Sequence, residues 1–330
     1  MNTGRRVTIY DVARRAGVSP STVSRSLSRP GRVSAATLKI VYEAIEELGY
    51  AAGPTVAQSE AKTRTIAFSV QRLSNPIYED ILSGFRDNFP DSYVPVVLDA
   101  GENAEREAAN IIQILPHVDG LIMSSSLLTE SQIANIHKQK PTVLVQRRIN
   151  GIPSVMFDMV PGVGQLMDLF AAHGHEDLLY VSGPEESWTS GIRWRALQTE
   201  ANKRDLRISR SAPFEPNVVS GFEAVRAWQG TKATGIVAFN DIQAAGLLHG
   251  LRRAGVRVPD DVSVASFDNT IAAVVAQVPL TSIGGSNYDV GRHAAELLRD
   301  HLRRRNDDVP EIVLPMKTHV RMSVGKAPNN

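Results

Sequence analysis

The chain contains no cysteine, which excludes disulfide staples and thiolate chemistry. No apolar run approaches the roughly 20 residues that a membrane span requires. The opening residues, MNTGRRVT, lack the hydrophobic stretch of a secretory leader. A cytoplasmic protein with no membrane partner is therefore expected. Enzyme signatures are missing as well: there is no HExxH, no P-loop and no Gly-x-Ser-x-Gly. Gly162-Val163-Gly164 follows an apolar run, but Met167 breaks the dinucleotide pattern. That segment reads instead as a helix start where the chain crosses between lobes. His173 and His175 flank Gly174 and read as a helix-end turn rather than a metal site. No metal, no cofactor and no catalytic centre is expected, because no nucleophile, base and orienting group converge.

Net charge is nearly absent too, since 36 basic residues face 35 acidic ones. That balance hides an asymmetry. Residues 1–50 hold eight basic and four acidic side chains, leaving 28 basic and 31 acidic in the remainder. A cationic head on a slightly acidic body suits local binding to phosphates. At 330 residues the chain is long enough for two or three domains.

The head is organised around Thr8–Arg25, TIYDVARRAGVSPSTVSR. Ile9, Val12, Ala13 and Ala16 recur at helical spacing, with Thr8 and Asp11 as a capping box. Gly17 ends this helix in the left-handed conformation that glycine tolerates best. Ser19-Pro20 restarts the chain as N-cap and first helical residue. The second helix, Pro20 to about Leu27, is expected to bury only Val23 and Leu27. Its other face presents Ser21, Thr22, Ser24 and Arg25, short hydroxyls followed by one long cation. Such a face can lie in a DNA groove, hydroxyls on phosphates and arginine on a base edge. The pattern reads as a helix-turn-helix with the second helix as reader; an ordinary surface hairpin is the bland alternative. Ser34 then caps a third helix carrying Leu38, Val41, Ile45 and Leu48, with Gly49 at its end. After Tyr50, AAGPTVAQSEAKTRT is small, polar and broken by Gly-Pro, a linker.

From Thr65 apolar runs alternate with helical segments: TIAFSV, VPVVLDA, GLIMSS, TVLVQR, SVMFD, LLYVSG, GIVAFN and SVASFD. Near-continuous hydrophobic strands of this kind belong to parallel sheets covered on both faces. The alternation occurs twice, which predicts two doubly wound lobes with a ligand at the carboxyl ends of their strands. Ser286–Arg304 is predicted as a helix, and EIVLPMKTHVRMSV supplies closing strands. No heptad extension follows that would add an oligomerisation helix.

These residues carry a resemblance. YDVARRAGVSPSTVSRSLSRPGRVSAATLKIVYEAIEELGY resembles the head of the lactose-repressor (LacI/GalR) family of bacterial transcription regulators. SNPIY, VLVQRR, SVMFD, HGH, YVSGP, AFND, PDDVSVASFD and PLTSI follow in the family's order. The resemblance spans nearly the whole chain and implies an all-α helix-turn-helix head plus an α/β body of periplasmic-binding-protein type. The implied domains are a head at 1–50, a hinge at 51–64 and a two-lobed effector-binding and dimerisation body at 65–330. Lobe 1 would comprise about 65–160 plus 284–315, and lobe 2 about 161–283 plus 316–330. It implies a homodimer on double-stranded operator DNA, acting as a repressor whose operator affinity a small-molecule effector controls.

Carried over residue by residue, base-reading positions fall on Pro20, Ser21 and Arg25. Thr8, Tyr10, Ser19, Thr22, Ser24, Arg32, Ser34, Thr37 and Tyr50 match backbone-contacting or nearby positions. Pocket positions fall on Asn75, Ile77, Tyr78, Gln146, Trp188, Arg193, Asn240 and Asp268. A carboxylate and a guanidinium can bracket vicinal hydroxyls while an aromatic ring packs on a sugar's C–H face. The bland reading has Asn240 and Asp268 bracing loops.

Departures from the family pattern are visible. Ala52-Gly53 stands where the hinge has Pro-Asn, and Glu60 (or Ser59 in an ungapped reading) replaces the leucine that wedges into the minor groove. A carboxylate there would be repelled by phosphates, so a hinge that does not kink DNA as the family does, or that orders differently, is expected. In the pocket, Met159, Gly285 and Gln146 replace the usual asparagine, glutamine and aspartate. The expected effector is a carbohydrate or derivative, less hydroxylated than or shaped differently from a common hexose. A cytosolic sensor of a purine or sugar phosphate is the alternative, a solute-binding protein or an enzyme with a regulatory head more distant ones.

Overall fold

The computed structural model describes residues 7–28, 33–48, 50, 64–303 and 310–328. The chain forms two units, residues 1–62 and 63–330.

In the first unit, α1 (Ile9–Ala16), α2 (Pro20–Ser28) and α3 (Ala35–Leu48) enclose a small core. Val12, Ala13, Ala16, Val23, Val41 and Ala44 are buried in it, with Ile9, Val18, Leu27, Ile45, Leu48 and Tyr50 packed around them. The Asp11 carboxylate accepts from both the Thr8 N–H (2.9 Å) and the Thr8 hydroxyl (2.6 Å). Gly17 closes α1 at φ 66°, where a Cβ would strain the backbone. Ser19 Oγ accepts the Thr22 N–H and Ser34 Oγ that of Thr37, so both expected caps are formed. One expectation needs correction: α2 buries Ser26 completely besides Val23, and the Ser26 hydroxyl has no hydrogen-bond partner. Positions 23, 26 and 27 form one helical stripe, and a small serine is tolerated where the helix seats closely. The expected hinge, with Ser59 and Glu60, and the expected DNA contact Arg32 lie outside the described residues.

The second unit runs β1 (Arg64–Val70), α4 (Ile77–Asn88), β2 (Tyr93–Asp99), α5 (Ala104–Ile114), β3 (Gly120–Ser124), α6 (Glu130–Gln139), β4 (Thr142–Val145) and β5 (Ser154–Asp158). It continues through α7 (Val160–Ala172), β6 (Asp177–Val181), α8 (Trp188–Asn202), β7 (Arg207–Arg210), α9 (Val218–Glu223), α10 (Val225–Gln229), β8 (Gly235–Ala238) and α11 (Asp241–Arg253). β9 (Ser263–Phe267), α12 (Ile271–Val275), β10 (Thr281–Gly284), α13 (Asn287–Arg303), β11 (Glu311–Pro315) and β12 (Lys317–His319) complete it.

Two six-stranded sheets result, ordered β11-β5-β4-β3-β1-β2 and β12-β10-β9-β8-β6-β7. The first is parallel throughout, and the second is parallel except for β12 against β10. Alternating residues explain the continuous apolar runs. In β1, Ile66, Phe68 and Val70 enter one core while Ala67 enters another. In β6, Leu178 and Tyr180 divide in the same way from Leu179 and Val181. Central strands such as β1 and β6 are thus buried on both faces, while the edge strands β2, β7 and β11 are half-buried or exposed.

Both lobes cross a helix pair through glycine. A Cβ on Gly84 of α4 would stand 2.0 Å from the Tyr288 carbonyl oxygen of α13, and one on Gly246 of α11 would stand 2.0 Å from that of Val218 of α9. Three crossings join the sheets: β5 to α7 through Met159, β10 to α13 through Gly285-Ser286, and β11 to β12 through Met316. Gly285 is required by packing there, because a Cβ would meet the Phe157 ring at 2.5 Å and the Pro315 carbonyl oxygen at 2.7 Å. A glutamine cannot occupy that position in this backbone. Gly162 and Gly164 lie inside α7. His173 caps that helix through Leu169, with Nδ1 2.8 Å from its carbonyl oxygen. His175 is buried between Thr234 Oγ1 and the Gly325 carbonyl.

Candidate functional site

The head presents its expected face outward. Thr8, Tyr10, Ser19, Pro20, Ser21, Ser24, Arg25 and Ser34 are exposed, Tyr10 by 66%, while Thr22 and Thr37 are half-buried. The hydroxyls of Ser21 and Thr22 each lie 2.8 Å from Ser19 Oγ, a cluster of donors at the start of α2. Tyr50 differs from the others, because it packs against the head's core.

In the body, a cleft opens between the two sheets. Seven of the eight expected pocket residues line it: Asn75, Ile77, Tyr78, Gln146, Arg193, Asn240 and Asp268. Trp188 does not. The lining passes from Ser187 to Thr189, because Ser187 caps α8 and the residue after it starts the first turn facing elsewhere. Gln71, Ile81, Glu102, Ser125, Phe157, Met159, Phe239, Asn287 and Met316 complete the lining.

Almost all polar members stand just beyond strand ends: Gln71 and Asn75 after β1, Glu102 after β2, Ser125 after β3 and Gln146 after β4. Ser187 and Thr189 follow β6, Asn240 follows β8 and Asp268 follows β9. The carboxyl edges of two parallel sheets thus face one another, the general ligand position of such folds. Of six non-glycine residues with positive φ among those described, Glu102, Ser125, Gln146 and Asp268 line the cleft. Backbone strain of this kind gathers where side chains must be aimed.

Arg193 and Asp268 meet directly, with Nη2 donating to Oδ1 at 2.6 Å. Arg193 Nη1 donates to the Phe239 carbonyl at 2.5 Å, and its guanidinium lies 4.7 Å from both the Phe239 and Phe267 ring centres. The two charged groups therefore pair rather than stand apart to bracket hydroxyls. Asn75 Nδ2 reaches Asp268 Oδ2 at 3.4 Å from the other sheet, and Arg72 bridges to Glu215 at 2.8 Å, so polar contacts span the lobes. Asn240 does what the bland reading assigned it, its Oδ1 accepting the Gln243 N–H at 2.8 Å as the cap of α11. It also lines the cleft.

Behind this edge, Asp241 is fully engaged. It accepts from Ser266 Oγ, Ser282 Oγ, the Thr270 N–H and Thr270 Oγ1. Burial nevertheless raises its pKa to about 6, with Asp268 adding to the effect. Burial also pushes the Tyr78 phenol well above its ordinary range, leaving a neutral hydroxyl that accepts the Gln71 N–H at 3.3 Å. Glu102 is raised to about 7, by burial first; Arg72 pulls back against Glu215, Asp99 and Glu107.

Three polar atoms of the lining have no partner: Gln71 Oε1, Thr189 Oγ1 and Arg193 Nε. Buried polar atoms are normally satisfied, so three orphans in one cleft mark a place for a polar ligand. Glu102 was legible in principle, since it follows a strand end. Asn287 and Met316 had no local signal, because crossings between sheets place them. No group of three or more potential metal ligands occurs among the described residues.

Residues 8–52 match the bacterial regulatory proteins of the lacI family, and residues 167–324 match the periplasmic binding protein-like domain. The catabolite control protein A of Priestia megaterium is 31% identical over 329 residues, covering 96% of this chain and 99% of that protein. A lac repressor dimer bound to operator and the anti-inducer ONPF shares the fold, with TM-score 0.72 at 23% identity over 97% of this chain and all of that one. The transcriptional regulator CelR in complex with cellobiose has TM-score 0.67 at 25% identity, over 96% of this chain and all of that one. Helix-turn-helix head, two-sheet body and full-length relatives agree: the chain belongs to the lacI family of bacterial regulatory proteins, which are transcription regulators and not enzymes.

Proposed function

We propose that the chain is a cytoplasmic, homodimeric repressor whose affinity for a near-palindromic operator is set by a polyhydroxyl effector held between the two lobes. The observation that carries this reading is the cleft itself, with opposed strand ends, a preformed Arg193–Asp268 pair and three unpartnered polar atoms. Cellobiose in CelR and operator DNA under the lac repressor dimer are the precedents. The sugar phosphate alternative is disfavoured, because Arg193 is the only cation of the lining among the described residues and is already engaged.

In the head, Pro20, Ser21 and Arg25 would meet base edges, while the exposed hydroxyls and Tyr10 fix position on the backbone. Two-fold symmetry would pair the heads on half-sites. Effector binding would shift the lobes and, through residues 51–63, change operator affinity by about 1–3 kcal/mol of coupling. The test is fluorescence anisotropy with a duplex selected from a random library. Arg25→Ala should lose about 1–3 kcal/mol of discrimination between that duplex and a scrambled one while retaining weak, salt-sensitive binding. Unchanged discrimination would refute α2 as the reader.

A further inference from the structure

One corner of the cleft is built for a donor of positive charge. Its charged lining consists of Glu102, Arg193 and Asp268, and the last two neutralise each other at 2.6 Å. Glu102 remains as the excess charge. Arg72, whose positive charge acts on Glu102, is held by Glu215 across the lobes at 2.8 Å.

Beside Glu102 lies Gln71, which is 2% exposed and whose carbonyl accepts the Glu102 N–H at 2.8 Å. The Gln71 amide has a fixed orientation. Its Nε2 donates to Glu107 Oε2 at 3.0 Å, and Glu107 is fully buried and also accepts the Leu127 N–H and the Ser69 hydroxyl. A carboxylate can only accept, so the amide NH2 must face it. The Gln71 Oε1 atom is left as an unpartnered acceptor in the cleft wall. A carboxylate and an orphaned carbonyl, both acceptors, are carried by two lining residues joined through the Glu102 N–H.

We infer that this corner binds a protonated amine, so that the effector is an amino-bearing polyhydroxyl compound, such as an amino sugar, rather than a phosphate or sugar acid. The inference rests on the cleft being the effector site and adds the class of molecule. Its ammonium donates to the Glu102 carboxylate and to Gln71 Oε1, satisfying the orphan and the surplus charge together. An anionic ligand meets the same carboxylate as repulsion. Because burial holds Glu102 near 7, affinity for the amine rises as Glu102 ionises. Arg72 opposes the amine there, while Glu215, Asp99, Glu107 and Asp268 favour it; the Tyr78 phenol stays neutral.

The experiment is isothermal titration of the full-length protein with matched pairs: D-glucosamine and D-glucose, D-galactosamine and D-galactose, D-mannosamine and D-mannose, with D-glucuronate as the anion. At least one amine should bind about tenfold more tightly than its parent. Glu102→Gln should cost the amine about that factor more than it costs its parent sugar. In the unaltered protein, amine affinity should pass through a maximum at about pH 7, falling below it as Glu102 takes up its proton and above it as the sugar ammonium, acidified by its neighbouring oxygens, loses its own, a readout independent of any variant's folding. Parents binding as tightly as amines, glucuronate binding, equal loss of both partners in Glu102→Gln, or no amine binding would each overturn the inference. If a neutral sugar binds and Asp268→Asn abolishes it, the amine fails while the cleft reading stands. If no compound of any class binds, the cleft reading falls with it.

Discussion

The two lobes are built alike and face the cleft with different chemistry. Each has a six-stranded sheet and a helix pair crossed at glycine, Gly84 against Tyr288 in one and Gly246 against Val218 in the other. The second lobe's face is braced in advance, with Arg193 and Asp268 joined, Asn240 capping a helix, and Asp241 saturated behind them, although Thr189 Oγ1 and Arg193 Nε stay without partners. The first lobe's face leaves Gln71 Oε1 without a donor and Glu102 without a cation of its own. One wall is a platform braced by its own ion pair, the other brings an unpaired carboxylate and carbonyl, and a ligand completes both. The same fold therefore serves two roles according to which polar groups are satisfied internally.

That contrast can be broken most severely at Arg193. Arg193→Ala leaves Asp268 buried without its cation, which costs about 3–5 kcal/mol. Chemical denaturation should show that loss, and effector binding should disappear with it; a stable Arg193→Ala body would show that the platform is not held by this pair. The glycine crossings come next. Gly84→Ala and Gly246→Ala each drive a Cβ into a backbone carbonyl, and each should cost about 1–3 kcal/mol by overpacking. Equal losses in urea midpoint would support equivalent lobes, whereas a loss confined to one would break the parallel.

The smallest effect concerns pH. Glu102 has a folded pKa of about 7 against 4.5, so the folded state holds its proton longer than the unfolded chain. Its contribution to stability is intact below about 4.5 and falls as pH rises through about 7. Asp241, raised to about 6, adds to that slope. The lowered pKa values of His137, His175 and His319 act in the opposite sense as those groups lose their protons. Glu102→Gln should therefore flatten the decline in midpoint between about pH 5 and about pH 8 without removing it. An unchanged profile would place Glu102 in water rather than in the cleft wall.

Much of this architecture was legible before any coordinates. The eight apolar runs are eight strands, seven of them legible because a strand buried on both faces has no polar alternation to obscure it, and β2 legible from its valines although it lies at a partly exposed edge. The head was equally plain, since Gly17, Ser19, Pro20 and Ser34 act within a few residues of themselves. β7 has no such signature, because RISR is short and mostly exposed and leaves no hydrophobic trace. Trp188 was misplaced by one position, since a helix start rotates each successive side chain by about 100°. Ser26 was overlooked because its polarity suggested the surface although its spacing did not.

What the sequence determined alone was local: where helices begin and end, which runs form strands, and which face of α2 is polar. Those features depend on backbone preferences and on periodicity over a few residues. Only the tertiary structure decided that Gln71 and Glu102 share a corner, that Arg193 spends its charge on Asp268, and that Met159, Gly285 and Met316 meet at the crossings. Such groups are up to 157 residues apart in sequence. Their pairing depends on how two sheets close on a common core, for which no short stretch of chain carries a signal.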